Sequence, residues 1–310
     1  MDINLEQRPG VCGAHGHRQS LLRTAGRQFL TAFCFPSTGY CLPLSALCLL
    51  LSAFCLLPSA FCSPPAARAQ KAEPAPTEKP ATRPSQIDPK AREILDRAIP
   101  SLGGQAFLQA RSISTRGRMF AISEGVTSGF APFKSTVAFP DKRRFAYGKD
   151  KPVTLINDGE RGWQLDRYGT VRQSPEQVRR WRIGSRYGYE NLLRQVISEG
   201  GVLIQDAGRD FTDNSVARVV EITDAQQVHL RLYLHAVNYR PVRVAYRVLN
   251  PESREWEEFA EVYADYRAFQ DVDTPMHITR YLDGERYSEI FRNSVEYNAE
   301  ISPSDFAPGS

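Results

Sequence analysis

Val228–Leu249 reads VHLRLYLHAVNYRPVRVAYRVL. Its first half alternates: Val228, Leu230, Leu232 and Leu234 point one way, and His229, Arg231, Tyr233 and His235 point the other. Its second half repeats the pattern, with Val242, Val244, Tyr246 and Val248 opposed to Arg243, Ala245 and Arg247. A period of two is the signature of a strand with one dry and one wet face. Working outward, the same period recurs over Ser112–Ile122, Thr127–Phe139, Arg143–Tyr147, Val153–Asn157 and Gly162–Tyr168. Beyond a helical interruption it returns over Val202–Arg209, Val216–Thr223, Trp256–Tyr266, Pro275–Leu282 and Glu285–Tyr297. Short connections join these runs, among them Asp283-Gly284, a strong hairpin signal. Eleven or twelve strands in meander order predict a mainly β fold with a few helices, built on a large curved antiparallel sheet.

The polar sets carry both signs: Arg231, Arg243, Arg247, Arg280 and Arg292 against Glu257, Glu261 and Glu289. Cross-strand ion pairs on a solvated face account for them. The dry face needs a cover, and helical segments are predicted to supply it. Asp88-Pro89 is an N-cap with proline at the first helical position, followed by Ile94, Leu95, Ala98 and Ile99 at helical spacing. Gln105–Ala110 adds a short second helix. Ser174-Pro175-Glu176-Gln177 is a capping box opening a helix over Ser174–Ile183. Tyr187–Glu199 carries the apolar stripe Leu192, Leu193, Val196 and Ile197, with Gly184 and Gly188 at the joint between the two. Such helices make either a closed core or a lidded apolar cavity.

The ends of the chain differ from its middle. The 310 residues hold 39 Lys and Arg, 35 Asp and Glu, and 6 Cys. Every cysteine lies at or before Cys62, and most of the net charge of +4 lies before Gln70. Residues 1–69 read as a signal peptide: arginines, an apolar Leu42–Phe61, then Ala67-Arg68-Ala69 as a cleavage site. Cys34, Cys41, Cys48, Cys55 and Cys62 recur every seventh residue without charges at the flanking heptad positions, which is a tandem duplication rather than a coiled coil. An uncleaved leader would instead tether the protein to the inner membrane. Residues 70–87, with Pro74, Pro76, Pro80 and Pro84, read as an extended linker, and residues 88–306 as one domain. The exported part is nearly neutral and thiol-free. That argues against nucleic-acid binding by bulk charge and excludes cysteine nucleophiles, Cys-ligated metal and disulfides.

No nucleophile elbow, phosphate loop or dinucleotide fingerprint is present. His229 and His235 are six residues apart on one strand, too far to share a metal, and His277 lies elsewhere without a carboxylate motif. Neither a cofactor nor a metal is expected.

Several residues together resemble a known family. Val137–Arg144 reads VAFPDKRR, a strand, a Pro-Asp-Lys turn and the next strand. Ile156–Leu165 reads INDGERGWQL, a hairpin with Trp on the return. Thr274–Ile301 reads TPMHITRYLDGERYSEIFRNSVEYNAEI, a hairpin into a long strand, with Phe306 beyond. In this order they resemble the outer-membrane lipoprotein-sorting family, the lipoprotein carriers (LolA/LolB-like) and their outer-membrane receptor relatives. The resemblance implies an unclosed β-barrel of about eleven strands with a helical lid, holding lipoprotein acyl chains or other lipid in an apolar concavity. It implies a periplasmic monomer, non-enzymatic, with an envelope membrane protein as a further partner. It places Phe139 and the Pro140–Arg144 turn at the cavity rim and gives Arg143 or Arg144 the role of latching the lid through backbone carbonyls. It makes Trp163, Leu192, Leu193 and Val196 lining residues. The competing expectations are an envelope interaction protein that uses the same sheet without a cavity, and a secreted hydrolase.

Overall fold

The computed structural model describes residues 84–309. The leader of residues 1–69 and the linker up to residue 83 lie outside the described residues. The end of the predicted linker belongs to the fold. Gln86–Ile87 (β1) pairs in parallel with Leu203–Ile204, and the Asp88 amide donates to the Ile204 carbonyl at 2.9 Å.

Asp88 then starts α1 (Pro89–Ser101) by accepting from the Lys90 and Ala91 amides, and Ala91, Ile94, Leu95 and Ala98 are its buried stripe. Pro100 does not end this helix, because it sits in the last turn, one residue before the end. The short α2 (Gln105–Gln109) buries Phe107. Six strands follow: β2 (Ser112–Ser123), β3 (Val126–Ala138), β4 (Lys142–Tyr147), β5 (Val153–Asp158), β6 (Arg161–Asp166) and β7 (Gly169–Arg172). The helical insert is α3 (Pro175–Tyr187), α4 (Tyr189–Arg194) and a single 3-10 turn at Val196–Ser198. Seven more strands complete the sheet: β8 (Leu203–Thr212), β9 (Ser215–Thr223), β10 (His229–His235), β11 (Pro241–Leu249), β12 (Trp256–Phe269), β13 (Val272–Leu282) and β14 (Glu285–Tyr297). A 3-10 turn at Pro303–Phe306 follows.

All fourteen strands form one sheet in the order β1, β8 to β14, then β2 to β7. Two meanders are therefore spliced by the pairing of β14 with β2, and the edges β1 and β7 do not meet. The result is the predicted open, curved sheet, with two strands more than the twelve runs read from the alternation. The additions are β1, hidden in a proline-rich context, and β7, four exposed residues after an Arg167-Tyr168 turn. Gly117 allows the splice to close tightly: a Cβ there would lie 2.0 Å from the Phe291 carbonyl oxygen of β14 and 2.9 Å from the Phe133 ring.

The main core lies on the concave face. It joins α1, α2 and α4 to Val220 and Ile222 of β9, Leu230, Leu232 and Leu234 of β10, and Val244, Tyr246 and Val248 of β11. A smaller cluster of Ala217, Val219 and Tyr233 lies apart from it, and Val242 packs there rather than with Val244 and Tyr246, next to a register shift at Tyr233/Leu234.

The expectation for the charged residues needs correcting. Arg231 and Glu221 do form an exposed cross-strand pair at 2.8 Å. Glu257, Glu261, Arg280 and Arg292, however, share the concave face with Phe259, Tyr263, Ile278 and Ile290. Glu257 is buried and Arg280 pairs with Glu261 at 2.7 Å. Charge is thus built into the inside of the sheet, and pairing offsets the cost of burying Glu257, Glu261 and Arg280 there.

Candidate ligand-binding concavity

The helical insert lies across the concave face as a strap, and its attachments define the candidate site. Its N-terminus is fixed locally: Ser174 accepts from the Gln177 amide, and the Gln177 side chain accepts from the Ser174 amide. Arg179 and Arg180 next reach β12. Both donate to Glu257, at 2.6 and 2.8 Å, and both also bond Glu176 at 2.6 Å. At the other end, Arg186 meets Glu199 at 2.5 Å and Asp224 at 3.2 Å. The Tyr187 hydroxyl donates to Asp224 at 2.8 Å. Asp224 is fully buried and also accepts from the Gln226 and Val228 amides. Burial, then the hydrogen bond to Asp224, pushes the Tyr187 hydroxyl above the ordinary tyrosine value. A further attachment is to the turn between β3 and β4. Ser185 Oγ and Asn191 Nδ2 both donate to the Pro140 carbonyl, at 3.1 and 2.8 Å.

These contacts have an acid limit. The hydrogen bond from Arg179 outweighs partial burial and, with one from Arg180, holds the Glu176 carboxylate below its ordinary 4.5. The hydrogen bond from Lys90, at 2.6 Å, holds Asp206 of β8 below its ordinary 3.8. A carboxylate depressed in the folded state adds stability that is complete above its unfolded value and lost as pH falls through its folded value. Stability is expected to hold near neutrality and to fall below about pH 4.5. In urea titrations at stepped pH, Glu176→Gln should show a shallower acid loss than the parent; an identical acid limb refutes the role of the Glu176 cluster.

The seven residues predicted to line the site separate into three groups. Register divides β4 to β6 cleanly. Val137, Arg143, Asn157 and Gly162 are cross-strand partners on one face, and Thr136, Arg144, Ile156, Trp163 and Arg172 on the other. The Arg143 face is the concave one: the guanidinium lies 5.8 Å from the Trp181 ring of α3 and 5.5 Å from the Phe145 ring, and Nη2 donates to Asn157 Oδ1 at 2.9 Å. Arg144 and Trp163 therefore face outward, against the expectation. Arg144 donates at 3.2 Å to the Asp305 carbonyl in the C-terminal 3-10 turn, which covers the fully buried Ile156 on that outer face.

Leu192, Leu193 and Val196 are at most 1% exposed and belong to the main core; Leu192 and Leu193 are packing, and Val196 also borders the cleft beside the strap. Phe139 is half-buried at the predicted rim, with the Arg194 guanidinium 4.0 Å above its ring and 4.4 Å from that of Phe107. Arg143 reaches Asn157 and Arg144 reaches the Asp305 carbonyl, both away from the strap. The latch runs the opposite way, from strap side chains to the Pro140 carbonyl. Its Pro-Asp-Lys turn was visible in the sequence, but its strap partners, Ser185 and Asn191, were not.

From the core, against which Met119, Phe145 and Tyr147 pack, the concave face continues over β2 to β5 as a row of half-buried apolar side chains that also takes in Ala131, Val153 and Leu155. Burial, and then Asp166, raises the Tyr147 hydroxyl above its ordinary value. A cleft of about 730 Å³ opens beside the strap, between α3, the β5–β6 hairpin and the β9–β10 turn, and Glu160, Arg172, Trp181, Arg186 and Gln226 are among its walls.

The histidines do not assemble with one another. His229 Nδ1 lies 2.9 Å from Thr223 Oγ1, His235 Nδ1 accepts from the Val237 and Asn238 amides, and His277 stacks on Phe291 with ring centroids 4.2 Å apart. Among the described residues no group of three or more His, Cys, Asp or Glu is placed to hold a metal, and no helix is long and apolar enough to cross a membrane.

No family model and no curated protein matches the chain. Solved structures do. An outer membrane lipoprotein-sorting protein domain from Vibrio parahaemolyticus matches at 12% identity, over 70% of this chain and 97% of that one, with a TM-score of 0.46. A DUF1329 family protein from Desulfovibrio piger matches at 10% identity, over 70% and 96%, with a TM-score of 0.47. A LolA superfamily protein from Nitrosomonas europaea matches at 12% identity, over 70% and 96%, with a TM-score of 0.46. Each is a likeness between this chain and that structure.

Proposed function

We propose that the protein is an exported, non-enzymatic carrier that holds a lipidic ligand, a lipoprotein acyl chain or another lipid, on its concave face in the periplasm. The observation that carries this reading is the row from Met119 to Leu155, apolar and half-buried on the inside of an open sheet. Each methylene that such a row takes out of water contributes about 0.8 kcal/mol, so an acyl chain needs no covalent link to be retained. Loading requires the strap to move. Gly188 joins α3 to α4 without a side-chain cap, which makes it the natural hinge. Release then follows from contact with a membrane or an envelope protein that competes for the strap.

The test is binding. The purified protein is expected to carry acyl chains detectable by mass spectrometry of its organic extract. After delipidation it should bind an apolar fluorophore saturably, and added fatty acid should displace the fluorophore. A lipid-free extract together with non-saturable fluorophore binding would overturn the proposal.

A further inference from the structure

Among the described residues two half-buried guanidiniums near the strap, Arg143 and Arg194, pair with no carboxylate; Arg194 has its Nε and Nη2 closed in against the Phe107 and Phe139 rings, which leaves Arg143 as the cation on the open part of the concave face. Arg143 is half-buried there. Its Nε is buried without a hydrogen-bond partner, and among the described residues its side chain bonds the neutral Asn157 alone, through Nη2. Among the described residues no carboxylate pairs with it. The other charged groups of this face behave differently. Arg280 is matched by Glu261 at 2.7 Å, Arg292 has Glu190 at 3.9 Å, and Arg179 and Arg180 share Glu176 and Glu257. A buried guanidinium without a counter-ion is costly, and the neighbouring Arg280 adds to the cost: burial first, then Arg280, lowers the Arg143 value to about 9.

The surroundings hold the group in place. Asn157 is fully buried, and its Nδ2 donates to Gln173 Oε1 at 2.8 Å. Gln173 in turn donates to the Trp163 carbonyl at 3.0 Å. Gly162 has no room for a side chain beside this pair, since a Cβ would lie 2.3 Å from Gln173 Oε1. Phe145 and Trp181 flank the guanidinium and leave its edge as the polar feature between two rings. On the same face of β4, Phe145 and Tyr147 follow Arg143 at alternate positions, so an apolar track runs away from the cation for about 13 Å at strand rise.

We infer that Arg143 is the anchor for a carboxylate, so that the ligand is a long-chain carboxylic acid whose chain runs over Phe145 and Tyr147. This rests on the lipid-binding reading above and sharpens it. One guanidinium without a counter-ion calls for one negative charge, and a carboxylate matches its paired N–H donors in a planar two-point contact. A neutral chain would leave the Arg143 charge buried and unpaired.

The test compares oleate with methyl oleate on the delipidated full-length protein, by displacement of an apolar fluorophore. The acid is expected to bind about tenfold or more tightly than its ester, the scale of a charge-assisted pair. Arg143→Gln should lose the preference and keep the affinity for the ester, and Arg143→Lys should keep part of it. If Arg143→Gln does not fold, the preference of the parent protein decides alone. Equal binding of acid and ester would overturn the inference and leave the lipid-binding reading standing. Binding of neither would overturn that reading as well. Phosphatidylglycerol vesicles form the third arm. Transfer of that lipid in an Arg143-dependent manner, at an affinity above that of oleate, would assign the cation to a phosphodiester headgroup and overturn the carboxylate.

Discussion

Asp224→Ala is expected to cost about 3–5 kcal/mol of stability, because it strands a network rather than deleting a contact. Asp224 is fully buried and accepts from Arg186, the Tyr187 hydroxyl and the amides of Gln226 and Val228. Truncation leaves the buried phenol and two amides without an acceptor and removes one of the two carboxylates that neutralise Arg186. The other, Glu199, is on the strap's own return segment, so it does not hold the strap to the sheet. The loss should therefore appear both in the urea midpoint and as a local change at Trp181, whose fluorescence reports the position of α3. Asp224→Asn keeps one acceptor oxygen and should lose clearly less. A midpoint unchanged by Asp224→Ala would mean that the strap is held without Asp224, by its core packing, the Pro140 carbonyl and Glu257.

The fold was legible because its alternation is long and regular. Val228–Leu234 and Val244–Val248 show their inward face directly, and the Asp283-Gly284 turn marks its hairpin. The caps at Asp88 and Ser174 were also readable, since each acts within a few residues of itself. What alternation does not reveal is which phase faces inward when the inside is itself charged. Along β12 the acids Glu257 and Glu261 fall in the same phase as Phe259 and Tyr263, so hydrophobicity points inward and charge points outward for the same positions. Only the partner strands break the tie, through Arg280 opposite Glu261. The same ambiguity separated Arg143 from Arg144. The two are adjacent, and a shift of one residue exchanges the inner and outer faces. Trp163 followed Arg144 outward for that reason, cross-strand from Ile156 rather than from Asn157. The short strands were missed for a different reason. β1 has two residues and β7 four, too few to show a period.

Leu193→Ala is expected to cost about 2–5 kcal/mol and to leave ligand selectivity unchanged, although its place on the helical stripe made it a candidate lining residue. The side chain is 1% exposed and joins the cluster that locks α1 and α4 onto β9 to β11. Removing it opens a cavity in a close-packed region that relaxes only in part, which is where such truncations are most costly. Lining and packing make opposite demands on one side chain. A lining residue must stay partly uncovered in the unliganded protein, as Phe145 and Tyr147 do, whereas a packing residue has no surface left to offer. The two roles therefore separate in a single pair of measurements. Leu193→Ala should lower the urea midpoint and leave the affinity for an apolar fluorophore unaltered at temperatures where both proteins are folded. Phe145→Ala should weaken that affinity while costing less stability than Leu193→Ala. The reverse pattern would put the ligand under α4 instead of along β4, with the strap as its floor rather than its cover.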